Sequence, residues 1–369
     1  MVRKPKHFGR WIAIGVAIGL VCSSQALAKK PDKPPGGGNE AAPYVLVDLL
    51  GLPEGSSLQS DAQAVSQSDE AGGVFVAGNS RTAGEFHPVL WGVDGDGSFT
   101  EPLDLGAPTH PNDYREVSVN DAGVVVTGGG HVFVPGLGMQ ELPRLGGVSA
   151  GARAVNNLGL IVGGITFDDG TTRGTFGAMW VLADGVPGDP IILGGFWPYD
   201  ISDTGVMAGN DMGLAAIAWL DAQGNLQVDY LGVLPGYDRA EAEAISTNGG
   251  WVAGHCRIID GPWEAFVWSE TTGMIGLGRF GGSISVAWGV NNAGQAVGYS
   301  DTGGGRSSQA AFLWQDGMML DLNSLADTGG KNHLQLAKDI NNAGHIVGLM
   351  CIWRPVSESH GFLLIPNGE

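Results

Sequence analysis

The side chains best equipped for chemistry in this chain are aromatic rings set beside cations. Trp197, Tyr199, Tyr237, Trp263 and Trp353 stand in or next to glycine-rich polar segments, with Tyr114, Arg115, Arg239, Arg257 and Arg354 in similar ones. A flat apolar ring beside an orienting hydrogen-bond donor suits a sugar or a peptide. Arg81, His87, Asp168, Arg173, Asp238, Arg306 and His360 add further polar groups to the same segments. Such residues can equally staple their own loops, so the question is which of them the fold gathers.

Reaction chemistry has no linear signature. G-x-S-x-G, H-E-x-x-H, C-x-x-C and phosphate-loop patterns are absent, and the histidines lack ligand spacing. No catalytic residue, metal or cofactor is therefore assigned. Residues 93–98, "VDGDGS", start like a calcium loop, but Phe99 takes the sharp-turn glycine position and no Glu closes the loop. An acidic hairpin is the expectation there. Cys256 and Cys351 occupy nearly equivalent places in two repeats. Strands two sheets apart lie roughly 20 Å from one another, given ~4.8 Å between strands, and a disulfide needs about 7 Å. No disulfide is expected.

The elements that position these residues repeat. The phrase "VNNAGQAVGYS" (290–300) nearly recurs as "INNAGHIVGL" (340–349), and its closing glycine falls at Gly78, Gly128, Gly163, Gly209, Gly254, Gly298 and Gly348, a mean spacing of 45 residues. That period marks stacked supersecondary units. Each unit reads as four strand-like pieces. The first ends on Ile or Val and is followed by a turn that opens on Asn or Ser and closes on Gly. The opening side chain can bond its own backbone two residues on, and the glycine supplies positive φ. Four antiparallel strands repeated radially predict an all-β, seven-bladed β-propeller over residues 44–369. The last unit stops after its third strand at 361–364, and residues 44–50 are a fourth strand lacking its predecessors. Pairing them completes the seventh blade.

The third strand carries a resemblance. "EAF" (264–266), "AAF" (310–312) and "HGF" (360–362), with "INNAG" and "LG" around them, resemble the HAF repeat of probable bacterial extracellular repeat proteins. The likeness spans about 45 to 364, is clear in the last three units, and is degenerate in the first two. It implies an exported bacterial repeat protein and no particular activity.

Blade topology sorts the loops. First-to-second and third-to-fourth connections are tight turns on one face, while long irregular loops share the other. Because loop variation marks the used surface, ligand binding is expected on the long-loop face. A second candidate set is periodic. Two residues before the Ile or Val of the first strand stand Gln63, Val117, Arg153, Tyr199, Glu243, Trp288 and Lys338, each followed by a small or short residue. On innermost strands these would ring the central channel, either binding there or filling it.

The first 28 residues read as a secretory signal peptide: a basic start, an apolar run at 11–21 too short to span a bilayer, and Ala26-Leu27-Ala28. Residues 29–43 read as a disordered Pro/Gly-rich linker. Loss of Arg3, Lys4, Lys6 and Arg10 takes the net charge from −19 to −23, which excludes nucleic acid and anionic membrane surfaces as expected partners. The expectation is a secreted or periplasmic monomer with no membrane insertion after cleavage. The first functional reading is a non-enzymatic propeller binding a glycan, peptide or protein partner. The alternatives are a polysaccharide hydrolase or lyase at the channel mouth, betrayed by a pocket with two carboxylates ~5–10 Å apart or a His with a carboxylate partner, and a structural surface repeat.

Overall fold

A computed structural model describes residues 42–53, 59–82, 85–99, 101–106, 116–304, 309–352 and 358–367. The expected signal peptide, most of the expected linker, and Tyr114, Arg115, Arg306, Trp353 and Arg354 lie outside the described residues.

Seven antiparallel sheets form the ring of a β-propeller. Their innermost strands are Ser60–Val65, Val117–Val119, Ser149–Val155, Phe196–Ile201, Arg239–Ile245, Ser285–Val290 and Asn332–Ile340. Each contacts the next, and the seventh contacts the first, so the circuit closes. The seventh blade is completed as expected: Tyr44–Leu49 pairs antiparallel with Glu358–Pro366, from Tyr44 opposite Pro366 to Leu49 opposite Gly361. Blade three departs from the pattern. Its fourth strand is split into Val186–Pro187 and Ile191–Ile192, and Pro187 and Pro190 can donate no ladder hydrogen bond. In blade six the fourth strand stops at Asp321. Its carboxylate accepts Asn323 N at 2.9 Å and caps the single helical turn Leu322–Leu325. Among the described residues no helix is long and apolar enough to cross a membrane.

The core lies between blades. Phe266, Phe312 and Phe362, from the three "AF/GF" sites, are fully buried, with Ala265 and Ala311 also fully buried before two of them. Gly361 meets blade one so closely that a Cβ would come within 3.0 Å of Ala62 N. The small residue of the motif is a close-approach requirement, and the phenylalanine fills the wedge beside it.

The turn phrase has an inter-blade reason. Asn120, Asn156, Asn291 and Asn341 each accept backbone N–H groups of their own turn on Oδ1. Each also donates Nδ2 to a carbonyl of the next blade: Asn156 O, Ser202 O, Asn341 O and Ser66 O. The residue after it extends the linkage. Gln67 N donates to Asp121, Asp121 N to Asn157, Asn157 N to Asp203, Asp203 N to Thr247 O, Asn292 N to Asn342 and Asn342 N to Gln67, while Thr247 Oγ1 donates to Asn292. A hydrogen-bonded belt thus runs round the tight-turn mouth through all seven blades.

Candidate functional site

The ring residues are set by one recurrent defect. In six blades the pairing of the first two strands slips by one residue, between Ala62/Ala64, Ala152/Ala154, Pro198/Asp200, Ala242/Ala244, Ala287/Gly289 and Ala337/Asp339. The extra residues at these β-bulges are Gln63, Arg153, Tyr199, Glu243, Trp288 and Lys338, which line the channel together with Val117 from the unbulged second blade. A bulge re-aims the side chain it leaves unpaired. It also explains the repeated glycine opposite. A Cβ on Gly78, Gly163, Gly209, Gly254, Gly298 or Gly348 would lie 1.9–2.2 Å from a first-strand carbonyl oxygen.

These residues floor a cavity of about 200 Å³ whose wall is the tight turns. Its position differs from the expectation of a long-loop site. The belt already pairs most of its rim, and the short residue after the bulge is tied down where it is an acid. Asp200 accepts Ile201 N and Ile245 N at 2.8 Å each. Asp339 accepts Ile340 N at 2.8 Å and Val65 N at 2.9 Å. Burial pushes the Asp200 carboxyl up to about 7 in spite of those donors, and raises Asp339 likewise. From the neighbouring blade Lys338 Nζ sits 3.6 Å over the Trp288 ring. Burial draws its ammonium down to about 8 against the pull of Asp61, Glu243 and Glu116.

Toward the long loops, blade five gathers a second set that shares Glu243 and Tyr199 with the ring. Glu241 and Glu243 alternate along its first strand, and His255 lies opposite Glu241 on its second. His255 is 3% exposed and stacks on Trp263, ring centroids 4.7 Å apart and planes 4° from parallel. Its Nδ1 lies 3.4 Å from Glu243 Oε1. The Glu241 carboxylate takes Arg257 Nη2 at 2.8 Å and the Tyr199 hydroxyl at 3.3 Å. Burial alone would raise Glu243, but the His255 ring and the charges of Arg153 and Lys338 outweigh it and hold the carboxyl below its usual range. Burial and the two glutamates push the Tyr199 phenol up. Of the five buried side-chain polar atoms left without a hydrogen bond among the described residues, three belong here: both ring nitrogens of His255 and Arg257 Nε.

The expected residues divide accordingly. Tyr199, Arg257 and Trp263 converge, and Arg153 joins them through Tyr199, its guanidinium carbon 4.5 Å from the ring. Trp197 lies against blade three, where a Cβ on Gly164 would meet its Cη2 at 2.4 Å. Arg239 packs over Gly213 of blade four. Tyr237 donates to Glu264 at 2.7 Å and accepts from Arg279 at 2.9 Å, and Arg279 also donates to Trp263 O at 3.1 Å. Sequence reasoning missed Glu241 and His255. The signal was their alternation and register: Glu241 two residues before the bulge, His255 directly after the V-x-G glycine. The cysteines are not joined. Cys256 sits by Leu234 N and Met274 in blade five, and Cys351 donates to Gln335 in blade seven. Residues 94–98 form the expected acidic hairpin, with Asp94 N bonded to Ser98 O.

No family model matches the chain, and no curated protein does. Solved structures do resemble it. The β-propeller domain of the Trilobed protease from Pyrococcus furiosus aligns at 8% identity with TM-score 0.45, over 82% of this chain and 97% of that one. An acylaminoacyl peptidase from Pyrococcus horikoshii aligns at 10% and 0.44, over 82% of this chain and 52% of its own. TolB from Acinetobacter baumannii aligns at 14% and 0.40, over 63% and 58%. This chain is similar to these in fold, and the likeness carries nothing about activity.

Proposed function

We propose that the protein is an exported, HAF-like propeller that binds a glycan, peptide or protein partner through the long-loop mouth of its channel. The supporting observation is where hydrogen-bonding capacity is left over. Buried polar groups in folded proteins are almost all paired, and around the tight-turn cavity the belt pairs them. At Tyr199, Glu241, His255, Arg257 and Trp263 three buried donor or acceptor atoms stay open beside two aromatic rings. A ligand that supplies their partners gains more than one docking on a satisfied rim.

The hydrolase or lyase reading draws on the His255–Glu243 pair, 3.4 Å apart. One feature favours binding over it. Glu243 is held below its usual range, whereas a general acid needs its carboxyl raised.

Glycan and peptide arrays probed with the purified chain test the proposal. Trp263→Ala and Arg257→Ala are each expected to weaken a captured ligand by about tenfold or more, while Asn342→Ala on the tight-turn rim leaves capture unchanged. Capture that survives both long-loop substitutions, or is lost only with Asn342→Ala, moves the site to the other mouth.

A further inference from the structure

We infer that Glu241, Glu243 and His255 form a binding site for a borderline divalent transition metal, zinc in the first instance. The inference rests on reading this cluster as a binding site, and specifies what occupies its buried end.

The donors come from adjacent antiparallel strands, with Glu243 projected by the bulge and Glu241 facing His255 across the ladder. One ligand atom from each lies within 4.8 Å of the other two. Tetrahedral zinc with bonds of about 2.1 Å places its ligands about 3.4 Å apart. His255 Nδ1 and Glu243 Oε1 already stand at 3.4 Å. The remaining contraction falls to Glu241, whose carboxylate now takes Arg257 and Tyr199. An imidazole beside two carboxylates favours zinc and its neighbours over calcium or magnesium, which take oxygen.

Two observations besides the cluster itself point to an ion. His255 is 3% exposed, its Nδ1 has only the long 3.4 Å contact with Glu243 and its Nε2 has no hydrogen bond, and a buried imidazole so weakly paired is costly to keep. The stacked Trp263 indole fixes the ring plane, as a ligand histidine needs. The Arg257 guanidinium now on Glu241 competes with the cation; its Nε has no partner, so Nη2 alone would have to let go.

Isothermal titration of the purified, chelator-stripped full chain with zinc chloride tests this, with calcium chloride as the comparison. The expected result is one zinc per chain, a dissociation constant on the order of 1 µM or tighter, a rise in melting temperature, and no matching calcium isotherm. His255→Gln is expected to weaken zinc by at least about 100-fold, and Glu241→Gln or Glu243→Gln by about 10-fold each. The variants' metal-free melting temperatures report whether the propeller still folds. Absence of stoichiometric zinc binding, or binding that folded His255→Gln retains, overturns the site. Because titration uses metal alone, its failure is distinct from the failure of glycan or peptide capture, which is repeated with and without chelator.

Discussion

At the residue scale, His360 joins the two ends of the chain. Its Nδ1 lies 2.8 Å from Asp48 Oδ1, and its Nε2 3.5 Å from Glu358 Oε2. Burial would lower the imidazole, but the hydrogen bonds and charges of Asp48 and Glu358 outweigh it, so His360 rests above its ordinary value of 6.5. A group whose folded-state value is raised stabilises the protein fully below its unfolded value. It loses that contribution as pH rises through the folded one. Asp48→Asn should therefore lower stability by about 1 kcal/mol in mildly acidic buffer, the partial exposure of Asp48 keeping the figure small. The gap should close as pH rises past neutrality. Melting temperatures of both proteins across that range check it, and a gap that widens with pH contradicts the pairing. A second residue-scale expectation concerns Gly348. Its added Cβ would stand 1.9 Å from Leu336 O, on a first-strand backbone held by the neighbouring blades. Gly348→Ala should cost about 3 kcal/mol or more, measurable by denaturant unfolding, whereas Gly92→Ala has open space and should cost far less.

At the scale of elements, the first-to-second turn is a linker between blades as much as a hairpin. Asn156 accepts from Leu158 N and Leu160 N and donates to Ser202 O at 2.8 Å. Asn156→Ala leaves those groups without their protein partner and should cost about 2 kcal/mol. Asn156→Asp keeps the acceptor and loses the donor, so it should fall between wild type and alanine in chemical denaturation. An alanine variant as stable as wild type would show that the turns close independently. This element also marks what sequence could disclose. The Asn, the positive-φ glycine and the four-piece order were legible because local turn chemistry and strand alternation write them directly. The bulges were not: the variable ring was visible as a column, but its cause is a register slip, which appears only when two strands are paired. His255 escaped for the same reason. Its partners are two strand residues more than ten positions away, and no linear spacing encodes a register. The split outer strand of blade three and the helical turn at Leu322–Leu325 turn on prolines and an Asp cap at blade edges, where the repeat constrains little.

For the whole molecule, stability depends on a seam between distant parts of the chain. Six blades are built from consecutive sequence; the seventh takes its outer strand from the start of the fold. Tyr44 packs with Leu364, Phe362 and Leu334, while Leu49 is fully buried against Val76, Trp91 and Leu363. Trp91 Nε1 donates to Leu50 O at 3.1 Å, and Ser60 Oγ donates to Leu49 O at 2.5 Å, so the strand holds blade one as well as blade seven. Removing residues 44–50 uncovers the edge of Glu358–Pro366, a mostly apolar row with open N–H and C=O groups that invites pairing with another chain. The truncated protein should thus lose cooperative unfolding and associate, as seen by calorimetry and size-exclusion chromatography. A synthetic peptide of residues 43–51 added in excess should restore a single transition by occupying the vacant edge. Should the truncated chain stay monomeric and melt like the intact one, the closing strand would be decoration, and a ring held by the belt and the inter-blade core alone would be the better description.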